Sequence, residues 1–273
     1  MDKTEAVVKL VRRTQRLVGP RLAEIATSTI YRKAFFSSRE WRNLAFGQFA
    51  SFQEAGGYAQ KYTSNTIYKI DHESWLSARP NVQLHDYPML HWFAHFSALE
   101  PSVIDIGGSV GVTYYVYSKM LQWLTAYSWQ VLELPDVVEQ GRKLAIQRNN
   151  STLSFVSSWE ELKPASILLC AGAAQFLPMD LAVHVREMKE QPSVILINRV
   201  PIHSRKSYVT LQNTGSSITP CKVWERREFI DSFEVLGYTL VDDWSCAHNS
   251  LYVPYHPDLT LHEFRGYCFL FGA

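Results

Sequence analysis

One short stretch constrains this chain more than any other: Val103-Ile104-Asp105-Ile106-Gly107-Gly108-Ser109-Val110-Gly111, an apolar run ending in an acid and a glycine cluster. Such a run bounded by glycine reads as a buried strand, and Val112 to Leu124 reads as the helix that follows. Strand, glycine turn and helix in that order place backbone at the carboxyl end of a sheet. There glycine lets a ligand approach and permits positive φ. The dinucleotide fingerprint requires G-x-G-x-x-G, but Val112 stands where its last glycine belongs. A nicotinamide or flavin cofactor therefore fits poorly, and the Gly-Lys-Ser/Thr of a phosphate-cradling P-loop is absent.

Downstream, strands and helices alternate. Trp129 to Leu134 reads as a second strand, and Pro135 opens a helix running to about Asn149, since proline suits the first helical position. Leu153 to Val156, Ser166 to Cys170 and Val194 to Asn198 read as further strands, with Leu181 to Glu190 helical before the last. This alternation predicts an α/β fold with a parallel sheet covered on both faces. A long irregular stretch follows, then a helix over Glu225 to Leu236. Tyr238 to Trp244 and Gly266 to Phe271 close the chain as strands with no convincing helix between them, which predicts an antiparallel pair at the sheet edge.

The first hundred residues differ in texture. Helical spacing runs through Thr4 to Val18, Arg21 to Ala34, Trp41 to Phe52 and Tyr87 to Leu99, with mixed turn and helix over Asn65 to Leu84. The expected organisation is a helical N-terminal extension or lid over residues 1–100 and a cofactor-binding domain over 101–273. The aromatic residues of the extension read as packing between helices and sheet.

With 273 residues, 47% of them apolar, the chain can bury a sizeable core. Its net charge of +1 gives no sign of nucleic-acid binding, but residues 1–42 hold ten Lys/Arg against four Asp/Glu. That asymmetry makes the first helix a candidate contact for an anionic partner or a membrane surface. Cys170, Cys221, Cys246 and Cys268 form no C-x-x-C pair and offer no zinc site, in keeping with a reducing compartment. The charged Met1-Asp2-Lys3-Thr4-Glu5 start is unlike a signal peptide. No apolar run is long enough to span a bilayer. The expectation is a cytoplasmic protein.

Glu133 adds to the glycine loop. At the carboxyl end of the second strand, one βαβ unit beyond Asp105, an acid can accept from both hydroxyls of a ribose. Asp-x-Gly-Gly-Ser-x-Gly, the run Leu132-Glu133-Leu134-Pro135-Asp136-Val137-Val138 and the closing strand pair together resemble a class I methyltransferase. The Leu-Pro-x-Val-Val part is similar to small-molecule O-methyltransferases of plants and bacteria. A closer likeness is to a family of bacterial methyltransferases associated with surface-polysaccharide gene clusters. It rests on Tyr114-Tyr115, Glu133 to Val138, Gln175-Phe176, Arg199 to Pro201 and Val209-Thr210-Leu211-Gln212. It covers about Ser102 to Trp244, and the preceding residues match more loosely.

The resemblance implies S-adenosylmethionine as cofactor and S-adenosylhomocysteine as product. Asp105, Gly107, Gly108, Ser109 and Gly111 would line its methionine and ribose portions, with Glu133 on the ribose diol. Ser158 and Trp159 would lie near adenine, Cys170 and Ala171 at the end of the fourth strand. Tyr115 and Leu134 belong to the same implied contact set.

The catalytic side is less explicit. Plant-type relatives carry a histidine just after the fourth strand; here Gln175 stands there and can orient an acceptor but not take its proton. His203, in the loop after the fifth strand, is the candidate base. Arg199 could clamp an anionic acceptor. His85, His91 and His95 precede the sheet, and no Glu completes a H-E-x-x-H metal motif there. His72, between Asp71 and Glu73, reads as a capped turn. The leading expectation is O-methylation of a small or sugar-containing acceptor. Two alternatives stay open: a non-catalytic cofactor-binding or scaffold protein, and an NAD-dependent oxidoreductase, against which Val112 speaks.

Overall fold

The computed structural model describes residues 3–38, 44–63, 76–77, 79, 81–97, 102–215 and 217–272. Trp41, Asn65, His72 and Trp75, and with them parts of two expected segments, lie outside the described residues. The chain forms two compact units. One comprises Met1–Ile70, Pro201–Arg226 and Asn249–Phe264; the other comprises Asp71–Val200, Arg227–His248 and Arg265–Ala273. The division expected near residue 100 is therefore replaced by an interleaved one.

The second unit holds the α/β fold. After α4 (Tyr87–His95) come β2 (Val103–Ile106), α5 (Val112–Tyr117), β3 (Trp129–Leu132), α6 (Pro135–Gln147) and β4 (Leu153–Val156). They are followed by β5 (Ile167–Ala171), α7 (Leu181–Glu187), β6 (Val194–Val200), α8 (Arg226–Glu234), β10 (Tyr238–Cys246) and β11 (Phe264–Phe271). The seven strands lie in the order β10-β11-β6-β5-β2-β3-β4. β2 is parallel to β3 and β5, β3 to β4, and β5 to β6. β11, the last strand along the chain, runs antiparallel to β6 and lies inside the sheet, with β10 at the edge.

The central strands are buried on both faces, which is why β5 reads as a continuous apolar run and β2 and β3 as runs broken only by Asp105 and Gln130. The chain order reverses between β2 and β5. A crevice at the carboxyl ends of these two strands is where a sheet of this kind receives its ligand. α5 closes earlier than expected, at Tyr117, whose carbonyl takes the N–H groups of Met120 and Leu121 at 2.9 and 2.8 Å.

The first unit contains α1 (Lys3–Val18), α2 (Pro20–Ser37), β1 (Leu44–Phe49), α3 (Phe52–Gln60), β7 (Ile202–His203), β8 (Tyr208–Asn213) and β9 (Ile218–Glu225). Its sheet has the order β1-β8-β9-β7. β8 is antiparallel to β1 and β9, whereas β7 is parallel to β9. Val11, Tyr31, Phe35, Leu44, Leu211 and Ile218 join one buried cluster. The Asn213 side chain at the end of β8 donates to the carbonyls of Phe35 and Ser38, capping the carboxyl end of α2.

Two expectations fail here. Leu44 to Phe49 is a strand, not part of a helix, and the stretch after β6 holds three strands. The first error has a physical cause. Gly47 has φ +73°, and the register shifts between Phe46 and Phe49. A bulge of this kind adds one residue. It brings Phe46 and Phe49 onto one face, where both rings meet Tyr58 at 5.6 and 5.4 Å. The three-residue spacing that results is the spacing of a helix. Among the described residues, no helix is long and apolar enough to cross a membrane.

Candidate functional site

The glycine loop leaves β2 and turns back at once. Gly107 has φ +68° and donates its N–H to the Leu132 carbonyl at 2.9 Å, which ties the loop to the end of β3. Ser109 and Gly111 also lie at positive φ, +56° and +88°. The glycines answer first to protein neighbours. A Cβ on Gly107 would stand 2.3 Å from that of Ala173, and one on Gly108 would stand 2.4 Å from Asp105 Oδ2. One on Gly111 would meet the Leu153 side chain at 2.7 Å. The loop is thus packed down on the acid beneath it and against the turn after β5.

Asp105 is fully buried, and its Oδ2 accepts from the Trp129 indole N–H at 3.2 Å. Its Oδ1 has no partner. Burial pushes this carboxyl up to about 7, the Trp129 bond opposes the shift, and the Glu133 charge adds to it. Glu133 follows β3, whose last residue, Leu132, pairs with Ile106 at the end of β2. Its Oε1 accepts from Ser109 N–H at 3.1 Å and its Oε2 from Leu134 N–H at 2.9 Å. Burial raises its pKa and the two backbone donors hold it down. Each oxygen retains a second lone pair, so the acid can still accept from a ligand.

The turn after β5 forms the other wall. Cys170 pairs with Ile106, and Ala171 with Asn198. The Cys170 thiol is pushed up to about 12 by burial, which makes it inert at neutral pH. Gln175 is buried in a short 3₁₀ turn, Ala174–Phe176. It donates to the Gly172 carbonyl at 3.1 Å and leaves its own Oε1 without a partner.

Arg199 lies over the same glycine. Its guanidinium donates to the Ala171 carbonyl and to His85 Nε2, the latter at 3.3 Å. Arg79 donates to His85 Nε2 as well, at 3.0 Å, and to both oxygens of Asp86. The Tyr117 hydroxyl donates to Asp86 Oδ1 at 3.0 Å. Two guanidinium donors on one imidazole nitrogen require that nitrogen to be unprotonated, so His85 is neutral and carries its proton on Nδ1. Burial and then the Arg199 charge pull its pKa down to about 4. Asn198 braces the cluster: its amide donates to the His85 carbonyl at 2.9 Å, and its oxygen accepts from Arg199 N–H and the Trp244 indole.

Asp105, Gly107, Gly108, Ser109, Gly111, Glu133 and Leu134 thus come together at the ends of β2 and β3, and Cys170, Ala171, Gln175 and Arg199 at the ends of β5 and β6. Tyr115 is buried on α5 with its hydroxyl unpartnered and the Arg148 guanidinium 4.6 Å from its ring centre. Ser158 precedes the 3₁₀ turn Trp159–Glu161 that follows β4, and the Trp159 ring stacks on His184 at 4.0 Å. His203 lies on β7. It belongs to the first unit, where its Nδ1 accepts from the N–H groups of Arg205 and Lys206 at 3.1 and 3.2 Å. Its Nε2 donates to the Asp258 carbonyl at 2.8 Å. With both nitrogens bound to backbone, His203 holds a loop and is not placed as a free base.

Arg79, Asp86, Tyr117 and Asn198 join this site without belonging to any sequence motif. Asp86, immediately before the Tyr87-Pro88 helix start, was the one local signal available. The rest depends on contacts between residues far apart in the chain. Among the described residues, four buried polar atoms of this region have no partner: Asp105 Oδ1, Tyr115 Oη, Gln175 Oε1 and His85 Nδ1. Buried polar atoms are ordinarily satisfied; Asp105 lies beneath the loop, so Tyr115 and Gln175 are the residues that suit a polar ligand seated over it.

No protein family matches the sequence, and no curated protein matches it. Solved structures do. The 1,6-didemethyltoxoflavin-N1-methyltransferase of Burkholderia thailandensis, crystallised with 1,6-didemethyltoxoflavin and S-adenosylhomocysteine, superposes with a TM-score of 0.50. Identity is 14%, over 83% of this chain and 93% of that one. The chain shares the fold of that methyltransferase. The CcbJ methyltransferase of Streptomyces caelestis is similar at a TM-score of 0.46 and 12% identity, over 69% of this chain and 90% of that one. The glycopeptide N-methyltransferase MtfA, complexed with S-adenosylhomocysteine, gives 0.47 and 10%, over 75% and 99%.

Proposed function

We propose that this chain is an S-adenosylmethionine-dependent methyltransferase acting on an oxygen of a small or sugar-containing acceptor. One observation carries the reading: Glu133, at the carboxyl end of β3, is fixed by the backbone of the glycine loop with a lone pair left on each oxygen. A paired acceptor of that kind suits the adjacent hydroxyls of a ribose. Glu133 and Leu134 would take the ribose, Gly107 to Gly111, supported from beneath by Asp105, the portion beyond it, Ser158 and Trp159 the adenine. Ala171 and Cys170 would bound the site from β5.

The cofactor supplies an electrophilic methyl group on a sulfonium. What the chain has to add is alignment, because in-line displacement depends on holding the two reacting atoms on one axis. Gln175 can orient an acceptor through its free Oε1, and the Arg199 cation favours an acceptor that bears, or develops, negative charge. His85 offers no lone pair to a substrate, because both arginines occupy it. The acceptor oxygen that suits this site is therefore an acidic one, a phenol or the carboxyl of a sugar acid, which ionises without an imidazole base.

A second reading, a protein that binds the cofactor without transferring its methyl group, is favoured by the engagement of both His85 and His203. Calorimetry with S-adenosylhomocysteine, S-adenosylmethionine and NAD separates the cofactor classes; preferential binding of NAD would overturn both readings. Release of S-adenosylhomocysteine during incubation with phenolic and sugar acceptors then separates transferase from binding protein.

A further inference from the structure

We infer that the outer face of the α1–α2 hairpin docks on an anionic lipid surface. The hairpin carries a charge imbalance: residues 3–37 hold eight Lys/Arg against two Glu. α1 buries Val11 and turns Lys9, Arg13 and Arg16 the other way, as the helical period requires. Lys9, Arg12, Arg13, Arg16 and Leu17 line a shallow groove of about 330 Å³. The arginine at its inner side is fixed, with the Arg12 guanidinium 4.3 Å from the centre of the Tyr252 ring.

Beside the groove the hairpin bends at Gly19-Pro20, where Gly19 takes φ +82°. Within two turns of that bend four large apolar side chains face solvent. Leu17 is 74% exposed and Ile25 81%, and Val18 and Leu22 are about half exposed. Exposed apolar groups clustered at one bend mark a surface that meets something. Cations flanking them favour an occupant that is both greasy and negative. An interfacial helix has this composition, its apolar side chains entering the acyl boundary while Lys and Arg stay at the headgroups. A second copy of the chain would set cation against cation.

The test uses the full chain and co-sedimentation with vesicles. The protein is expected to sediment with phosphatidylglycerol-rich vesicles and not with phosphatidylcholine alone, and raised salt should release it. Reversing two cations, Arg13→Glu with Arg16→Glu, should lower partitioning by about tenfold or more. Leu17→Asp with Ile25→Asp should do the same through the apolar contacts. Both pairs are exposed, so thermal melting is expected to stay close to that of the parent chain. Should either variant fail to fold, the lipid and salt series on the parent chain decides the matter. Sedimentation with neither vesicle, or equally with both, overturns the inference. So does a dimer in light scattering that Leu17→Asp with Ile25→Asp converts to monomer. Binding of S-adenosylhomocysteine is independent of all these outcomes.

Discussion

Both Glu133 oxygens accept a backbone N–H, one from Ser109 in the glycine loop and one from Leu134. Hydrogen bonds to a charged group are worth about 1.5–3 kcal/mol. On the proposed reading, Glu133→Ala should raise the dissociation constant for S-adenosylhomocysteine by roughly 10- to 100-fold. Calorimetry measures it, and an unchanged constant would remove the ribose assignment. Asp105 makes a second prediction. Its carboxyl, ordinarily near 3.8, is pushed up to about 7 in the folded chain. Across that window the unfolded chain gives up a proton that the folded one keeps, so this group lowers stability as pH rises, and the loss is complete above 7. His85 acts in the opposite sense. Its value falls from 6.5 to about 4, so its contribution is intact above 6.5 and is lost as pH falls toward 4. Asp105→Asn removes the first slope alone. Relative to the parent chain it should gain stability between about pH 5 and about pH 7.5, read from urea midpoints. A constant difference at both pH values would show that Asp105 does not titrate in this way.

At the scale of elements, two glycines test the packing. A Cβ on Gly141 of α6 would stand 2.3 Å from the Phe155 ring on β4. Alanine adds about 1 kcal/mol of helix propensity, but overpacking a tight contact costs roughly 1–3 kcal/mol. The second effect should win, so Gly141→Ala is expected to unfold at lower denaturant. Gly47→Ala should destabilise by about 1–2 kcal/mol, the cost of left-handed backbone for a residue with a Cβ. An equal or higher midpoint would show that the Phe155 ring gives way in Gly141→Ala, or that β1 relaxes out of its left-handed bulge in Gly47→Ala. The same positions show how far the sequence could be read. β2, β3 and β5 were legible because a strand buried on both faces is mostly apolar, broken here only by Asp105 and Gln130. β1 was not, because its bulge turns a period of two into a spacing of three. The Arg79–His85–Asp86–Arg199 cluster was not either, because a segment before the sheet meets Arg199 of β6, far away along the chain. His203 misled for a related reason: its place after β6 is local information, whereas its partner Asp258 is not.

At the scale of the molecule, the unit containing residues 1–70 also needs 201–226 and 249–264. Deleting residues 1–63 would strip β1 from β8 and remove the helices that cover Leu211 and Ile218. A true extension could be cut away; this segment should not be. The truncated chain is expected to aggregate, or to be cleaved quickly between 201 and 226 in limited proteolysis, and a monodisperse, resistant product would argue for the simpler division. The second unit has its own dependence on order. β11 is the last of its seven strands along the chain, yet it lies inside the sheet, between β6 and β10. Until β11 is in place, β6 presents a bare edge and β10 has no neighbour to pair with. During synthesis on the ribosome, then, an apolar strand edge waits on residues not yet made, and that interval is when this protein most needs a chaperone's cover.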